Sequence, residues 1–189
     1  MNKGLIIIIS GPSGVGKKTI IDQFINDPML NLCYSISMTT RSPRIGETHG
    51  VDYYFVSEQE FYNSVKENKL LEWAEFAGNK YGTPIDAVYE KINQGKNVIL
   101  EIEVVGAMNV MTRLEKNEYK SIFIAPPSIE ELEARLKKRN TESDEKIKQR
   151  IKKATEELKT INNYDFVVLN DISSRAANEI RNIIKAQIR

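Results

Sequence analysis

An apolar run, Leu5 to Ile9, passes through Ser10 into a glycine-rich loop, Gly11-Pro-Ser-Gly-Val-Gly-Lys17, and then into Lys18 and Thr19. No other stretch restricts the fold as strongly. The run is too short to span a membrane and rich in β-branched residues, so it reads as a strand buried on both faces, the mark of a parallel sheet. Gly11, Gly14 and Gly16 lack the Cβ that would forbid tight turns. Successive backbone N–H groups are then free to face an anion, and the positive end of the next helix, expected over residues 19–26, adds to the field. Lys17 contributes a mobile point charge for the terminal phosphates of a nucleotide. The spacing fits the G-x-x-x-x-G-K core of a phosphate-binding Walker A loop, with Pro12, Ser13 and Val15 between the glycines. Lys18 stands where that pattern asks for a hydroxyl residue, and Thr19 follows one place late. Short glycine motifs also arise by chance in loops, but a buried strand before this one and a helix after it argue against chance.

A chain of 189 residues with 41% hydrophobic content is expected to form one domain with excursions. The formal net charge of +1 argues against nonspecific binding of nucleic acid or acidic membranes. One cysteine, Cys33, excludes an internal disulfide framework and suits a reducing compartment. Its apolar neighbours favour a buried structural thiol. The N-terminal run has no small-residue cleavage site, and the reading is a cytoplasmic protein without an obligate protein partner. His49, the only histidine, is expected at the surface, and no Cys/His spacing suits structural zinc.

Strands and helices alternate along the remainder. Strands are expected at 33–37, 52–56, 70–77, 98–103, 120–125 and 165–169. Helices are expected at 57–68, 84–93, 105–114, 128–138, from about 149 to 161, and at 173–188, the last capped by Ser173. Residues 78–82 read as a turn. In the strand at 70–77, Leu71 and Trp73 fall on one face and Glu72 on the other; Trp73 and Phe76 are expected to pack beneath an acceptor pocket. The strand at 98–103 leaves Glu101 and Glu103 on one face at its carboxyl end, where a magnesium-associated acid is expected. The charged stretch 139–148 suits a mobile segment. The wiring is α/β, with a central parallel sheet.

Arg41 and Arg44, in a polar turn-rich segment, present guanidinium forks suited to phosphate oxygens; ordinary loop charges are the alternative. A second cluster is Arg135, Arg139 and Arg150. One phosphate loop and two arginine groups suggest two anionic substrates and phosphoryl transfer between them. A phosphate acceptor already carries a nucleophilic oxygen, so the protein needs positive charge and alignment more than a strong base.

The ordered segments Gly11-Pro-Ser-Gly-Val-Gly-Lys, Ser37-Met-Thr-Thr-Arg-Ser-Pro-Arg-Ile-Gly-Glu, Gly50-Val-Asp-Tyr-Tyr-Phe-Val, Leu71-Glu-Trp-Ala-Glu-Phe, Tyr81-Gly-Thr-Pro, Ile124-Ala-Pro-Pro-Ser and Val168-Leu-Asn-Asp resemble guanylate kinases of the P-loop nucleoside monophosphate kinase superfamily. The resemblance covers nearly the whole chain. It implies ATP and GMP as substrates, dGMP as a second acceptor, Mg²⁺ as cofactor, and a place in purine nucleotide metabolism. It implies a three-layer core (residues 1–36, 84–138 and 149–189), a GMP-binding excursion (37–83) and a small mobile lid (139–148). Carried over by position, Ser37, Arg41, Arg44, Tyr53 and Tyr81 would hold the GMP phosphate, and Glu72, Thr83 and Glu103 would read the guanine. ATP would meet residues 11–19, Arg135 and Asn170. The catalytic cations would be Lys17, Arg44, Arg139 and Arg150, each arginine of the second cluster having helix-surface charge as its alternative. The sequence departs from the family pattern at Lys18, at Glu103 where Asp is usual, at Val105 in place of Gln, and at Asn140 in place of a glycine. With Lys18 present, Mg²⁺ is expected to be held by phosphates and water, with Glu101 acting through water. The rival readings are an inactive interaction module of the same fold and a P-loop kinase for another phosphorylated acceptor.

Overall fold

The computed structural model describes residues 3–76, 78–138 and 143–188, with the backbone alone at Phe76. Its centre is a five-stranded, all-parallel sheet built from β1 (Ile6–Ser10), β2 (Leu32–Tyr34), β7 (Asn97–Glu101), β8 (Tyr119–Ala125) and β9 (Phe166–Leu169), in the order β2-β7-β1-β8-β9. Every residue of β1 is buried, as its unbroken apolar run requires. Alternate side chains serve opposite faces. Ile7 and Ile9 pack with Ile20 and Ile21 of α1 (Lys17–Ile21) and with Ala176, Ile180 and Ile184 of α7 (Ser173–Gln187). Ile6 and Ile8 pack with Val88 and Ile92 of α3 (Ile85–Asn93) and with Ala107 and Val110 of α4 (Val104–Arg113). Helices therefore cover both faces, giving three layers.

A second, mixed sheet joins β3 (Met38–Thr39), β4 (Tyr54–Phe55), β5 (Leu70–Phe76) and β6 (Asn79–Pro84) in the order β4-β3-β6-β5. It is flanked by α2 (Glu58–Lys66), which a reciprocal capping box of Ser57 and Glu60 starts. Between β8 and β9 the chain passes through α5 (Ile129–Lys138) and α6 (Asp144–Leu158). Glycyl loop, β7–α4 corner and the second sheet meet at the carboxyl ends of the central strands, where β1 lies between β7 and β8.

Several elements differ from their sequence-based bounds. The helix expected at 19–26 begins at once at Lys17 and stops at Ile21; the bonds Gln23 N–H to Ile20 O and Phe24 N–H to Ile21 O then tighten the chain into three-residue turns. Residues 79–82 belong to β6 rather than to a turn, because Gly82 and Tyr81 pair with β3 on one side and Trp73 and Ala74 on the other. A register shift between Leu70 and Trp73 breaks the alternation of β5. Leu71 is 3% exposed while Trp73 is 45% exposed and sits edge-on to Phe61, so the two do not share a buried face. β7 ends at Glu101, and Glu103 occupies the N-cap position of α4, which removes it from the strand face of Glu101. Of the charged stretch 139–148, residues 139–142 lie outside the described residues, Ser143 caps α6, and Asp144–Lys148 are already helical. α6 ends at Leu158, short of 161. Ser173 is the first helical residue of α7, and Ile172 holds its N-cap position without a side-chain bond.

Candidate active site

The glycyl loop is shaped by contacts that a side chain would obstruct. At Gly11 an added Cβ would lie 2.3 Å from the Ile124 carbonyl oxygen, and at Gly14, with φ 91°, it would lie 2.6 Å from Leu136. Gly16 is also left-handed and leads directly into α1. Lys17 Nζ donates to the Gly11 carbonyl at 2.7 Å. Burial pulls the Lys17 pKa down, and the nearby carboxylates Glu101, Glu103 and Glu157 act in the opposite sense. From across the sheet, the Asn170 amide donates to Val15 O at 2.6 Å, and Arg135 donates to Asn170 O at 2.9 Å. Arg135, Asn170, Thr19 and Gly14 to Gly16 line one cavity of about 400 Å³. Pro12 is buried beneath the loop, and Ser13 accepts a 2.6 Å bond from Arg150 of α6.

A second cavity, of about 370 Å³, lies where the smaller sheet meets the β7–α4 corner, walled by Ser37, Tyr53, Tyr81, Glu72, Glu101 and Glu103 among others. Glu72 sits at the end of a short bond: the buried Thr83 hydroxyl donates to its Oε1 at 2.6 Å. Gly106 leaves room for that carboxylate, since a Cβ there would come within 3.0 Å of Oε2. Burial raises the Glu72 pKa, the Thr83 bond opposes the rise, and the charge of Glu103 adds to it. Glu103 Oε2 accepts a 2.6 Å bond from Lys153. Ser37, Tyr53 and Glu101 are shared with a further cavity of about 350 Å³ whose wall includes Lys18. Glu101 therefore stands between the glycyl loop and the acid-lined cavity, its pKa raised by burial against the pull of Lys17 and Lys18.

Arg41 is held by a residue that the motif reading did not single out. Its guanidinium donates to both oxygens of Glu47, at 2.9 and 2.8 Å, and lies over the rings of Tyr53 and Phe55. The rings of Tyr53 and Tyr81 meet edge to face. Arg44 is exposed on the same loop, its backbone N–H on Glu47 Oε2 at 2.7 Å, and is not among the residues lining these cavities. Arg139, expected among the catalytic cations, and Asn140 lie outside the described residues. Glu47, Lys153 and Glu157 are in contact with the candidate site residues or with one another and are not among the residues expected from sequence. For the latter two the available signal was their place on one helix face with Arg150, at spacings of three and seven.

Lys18 Nζ pairs with Asp22 at 3.0 Å on the surface of α1. Among the described residues no group of three or more His, Cys, Asp or Glu is close enough to hold a metal ion. Glu101 is a carboxylate that lines a cavity together with Lys18 of the glycyl-loop helix. His49 is exposed, and its Nδ1 accepts the Phe55 N–H at 3.2 Å. Cys33 is half-buried against the core, and burial pushes its thiol pKa up.

A sequence model described as guanylate kinase matches residues 3–187. The chain belongs to the guanylate kinase family. It is 62% identical over 186 residues to a guanylate kinase of Malacoplasma penetrans, covering 98% of this chain and 95% of that protein. It is 46% identical over 185 residues to the guanylate kinase of Bacillus subtilis, covering 98% and 90% of the two. In three dimensions it is similar to the crystal structure of guanylate kinase from Anaplasma phagocytophilum, with a TM-score of 0.73, 32% identity, and coverage of 98% and 87%. The α/β fold with a parallel P-loop core is thereby that of a guanylate kinase.

Proposed function

We propose that this chain transfers the γ-phosphoryl group of ATP to GMP, giving ADP and GDP, and accepts dGMP as well. The observation that carries the reading is the half-buried Glu72 held by the buried Thr83, set in an acid-lined cavity that shares Glu101 with the approach to the glycyl loop. Guanine offers N1–H and N2–H₂ donors along one edge, and a carboxylate accepts both; adenine presents an acceptor at N1 that would face a carboxylate lone pair. Thr83 spends its proton on Glu72 and so fixes which way the reading carboxylate faces. Glu103 approaches the same base. Ser37, Arg41, Tyr53 and Tyr81 receive the GMP phosphate, with Glu47 releasing or sharing the Arg41 fork. Arg44 joins them from its exposed loop. These groups address base and phosphate, which leaves the ribose 2′ position unread and admits dGMP.

The ATP phosphates lie along backbone N–H groups of residues 11 to 19, under Lys17, with Arg135 and Asn170 walling the nucleoside end. The α-helical start at Lys17 places the first free amides of α1 directly at the loop. Lys17 leaves the Gly11 carbonyl to meet phosphate, and Arg150 reaches over Ser13 toward the same charge. Catalysis here is alignment and charge neutralisation of a group passed between two phosphates, and Mg²⁺ would supply further positive charge to them. Glu101 would hold its water shell. Residues 37–83 form the acceptor excursion, the segment about 139–148 acts as lid, and the site of action is the cytoplasm. Among the described residues no helix is long and apolar enough to cross a membrane.

The deciding experiment measures ADP formation from Mg-ATP with GMP, dGMP, AMP, CMP or UMP as acceptor and with none. Turnover with GMP and dGMP alone is expected. Binding of GMP without turnover would favour the interaction module, and preference for another acceptor would overturn the assignment of Glu72.

A further inference from the structure

Helix α6 turns one polar face toward both halves of the site. Arg150, Lys153 and Glu157 follow at spacings of three and four, which stacks them along the helix. Their contacts divide the face by function: Arg150 bonds Ser13 of the glycyl loop at 2.6 Å, while Lys153 bonds Glu103 Oε2 at 2.6 Å and lies 3.7 Å from Glu157 Oε1. Glu157 is nearly buried, its side chain 8% exposed, and its Oε2 has no hydrogen-bond partner. Lys153 is thus a cation between two carboxylates, one inside the protein and one in the wall of the acid-lined cavity.

We infer that Lys153 is a positioning residue of the acceptor site, pinning Glu103 for its contact with the guanine base from the same helix that carries Arg150. The inference rests on the guanine-reading role given to Glu103. Three observations support it. Glu103 occupies the N-cap position of α4 yet makes no cap bond with its side chain, so its own helix does not fix where the carboxylate points. A half-exposed glutamate in that position has three free torsions, and ordering it on ligand binding would cost affinity. Lys153 takes one oxygen and leaves the other for the base.

The second observation is charge. Glu72 and Glu103 face one cavity and repel, and an ionised carboxylate is the stronger acceptor of N–H donors. A cation on the outer oxygen of Glu103 offsets that repulsion without occupying the cavity wall, since Lys153 is absent from its lining. The third is reach: the bond joins residues 50 apart in the chain and ties α6 to the β7–α4 corner. A surface ion pair between neighbours on one helix would do none of this.

The test is Lys153→Met, which keeps the aliphatic stem and removes the charge, with KM for each substrate, kcat, and GMP affinity by calorimetry as readouts. The expected result is a rise of about five-fold in KM and Kd for GMP, the scale of one partly exposed ion pair, with kcat and the KM for ATP moved by less than about two-fold. Lys153→Arg should restore GMP affinity. In a Glu103→Gln background Lys153→Met should have no further effect on GMP. Because the loss of Lys153 also strips the buried Glu157 of a cation, Lys153→Met/Glu157→Gln is measured as well. That double variant should recover thermal stability and leave the GMP defect in place. Unchanged GMP affinity in Lys153→Met, equal losses for GMP and ATP, or recovery of GMP affinity in the Glu157→Gln double variant would each overturn the inference. A wild-type chain that binds no GMP would instead overturn the functional reading beneath it.

Discussion

The side chain proposed to set acceptor choice is Glu72. Its carboxylate is half-buried, and burial raises its pKa because the ionised form has lost water; Thr83 returns one hydrogen bond and Glu103 adds a repelling charge. The sign of the consequence is set by that direction. The folded, unliganded protein holds a proton on Glu72 more firmly than the unfolded chain does, so ionising it costs stability as pH rises through its folded pKa, and acidification relieves the cost. Guanine donors act the other way and favour the ionised form. GMP affinity should therefore fall as pH drops, beginning at a higher pH than an ordinary carboxylate near 4.5 would set. In Glu72→Gln the amide can meet one donor but opposes the other with its own NH₂. An unmet buried polar group costs about 1 to 3 kcal/mol, so GMP should bind roughly 5- to 150-fold more weakly while ATP is little affected. The acid limb attributed to Glu72 should also disappear from the variant's GMP binding curve. Calorimetric titrations of both nucleotides from pH 5 to 8 check the two expectations together; equal losses for ATP and GMP would remove Glu72 from the role of base reader.

At the scale of elements, legibility followed locality. β1 could be read because five apolar residues in sequence leave only a doubly buried strand, and α2 because Ser57 and Glu60 satisfy each other's backbone within one turn. The glycyl loop was legible for the same reason: its function needs consecutive residues. What escaped was decided elsewhere in the chain. β6 looked like a turn because Asn79, Lys80 and Gly82 are poor strand formers, yet β5 pairs with all three and β3 pairs with Gly82 from the other side. The β5 register shift depends on how Leu70 meets Pro84 and cannot be seen in an alternating pattern. Lys153 acts on Glu103, 50 residues away, and only the fold brings the two together; Glu47 lies six residues from Arg41 in the same segment, but nothing in that segment says which carboxylate takes the guanidinium. The loop also sets a prediction at this scale. In Gly11→Ala the new Cβ would meet the Ile124 carbonyl at 2.3 Å, backbone against backbone, with no side chain able to move aside. The β1–β8 edge of the cradle must shift, so ATP affinity and turnover should both fall by at least about ten-fold, the cost of about 1.4 kcal/mol or more that a displaced cradle implies. Far-ultraviolet circular dichroism should retain the helical content. Nucleotide binding equal to that of the wild type would show that the loop tolerates the displacement.

The whole molecule depends on keeping its carboxyl-end strands in one sheet while helices from distant parts of the chain bear on them. β9 is one of the two edge strands, and Asp165 precedes it. That carboxylate accepts the Ser121 N–H and the Ser121 hydroxyl, each at 2.9 Å, and pairs with Lys116 at 2.6 Å, while Ser121 itself is fully buried. Burial raises the Asp165 pKa, but the Lys116 bond and the Ser121 donors outweigh it and hold the group below its ordinary value. A depressed carboxylate pKa stabilises the fold above the unfolded-state value and loses that contribution as pH falls through the folded one. The same junction positions Asn170 at the far end of β9, where it bonds Val15 O in the glycyl loop. Asp165→Ala removes the acceptor and leaves a buried N–H unmet, at a cost of about 1 to 3 kcal/mol. For a chain of this size the midpoint of thermal unfolding should drop by about 2 to 4 °C per kcal/mol at pH 7. The deficit should narrow below the unfolded-state pKa, near 3.8, because the wild type then loses the charge as well. Scanning calorimetry of both proteins across that pH range reads the effect directly. A deficit that stayed constant to the acid end would mean that Asp165 acts through packing alone, and a midpoint unchanged at pH 7 would mean that β9 is held by the apolar contacts of Phe166 and Val168 without it.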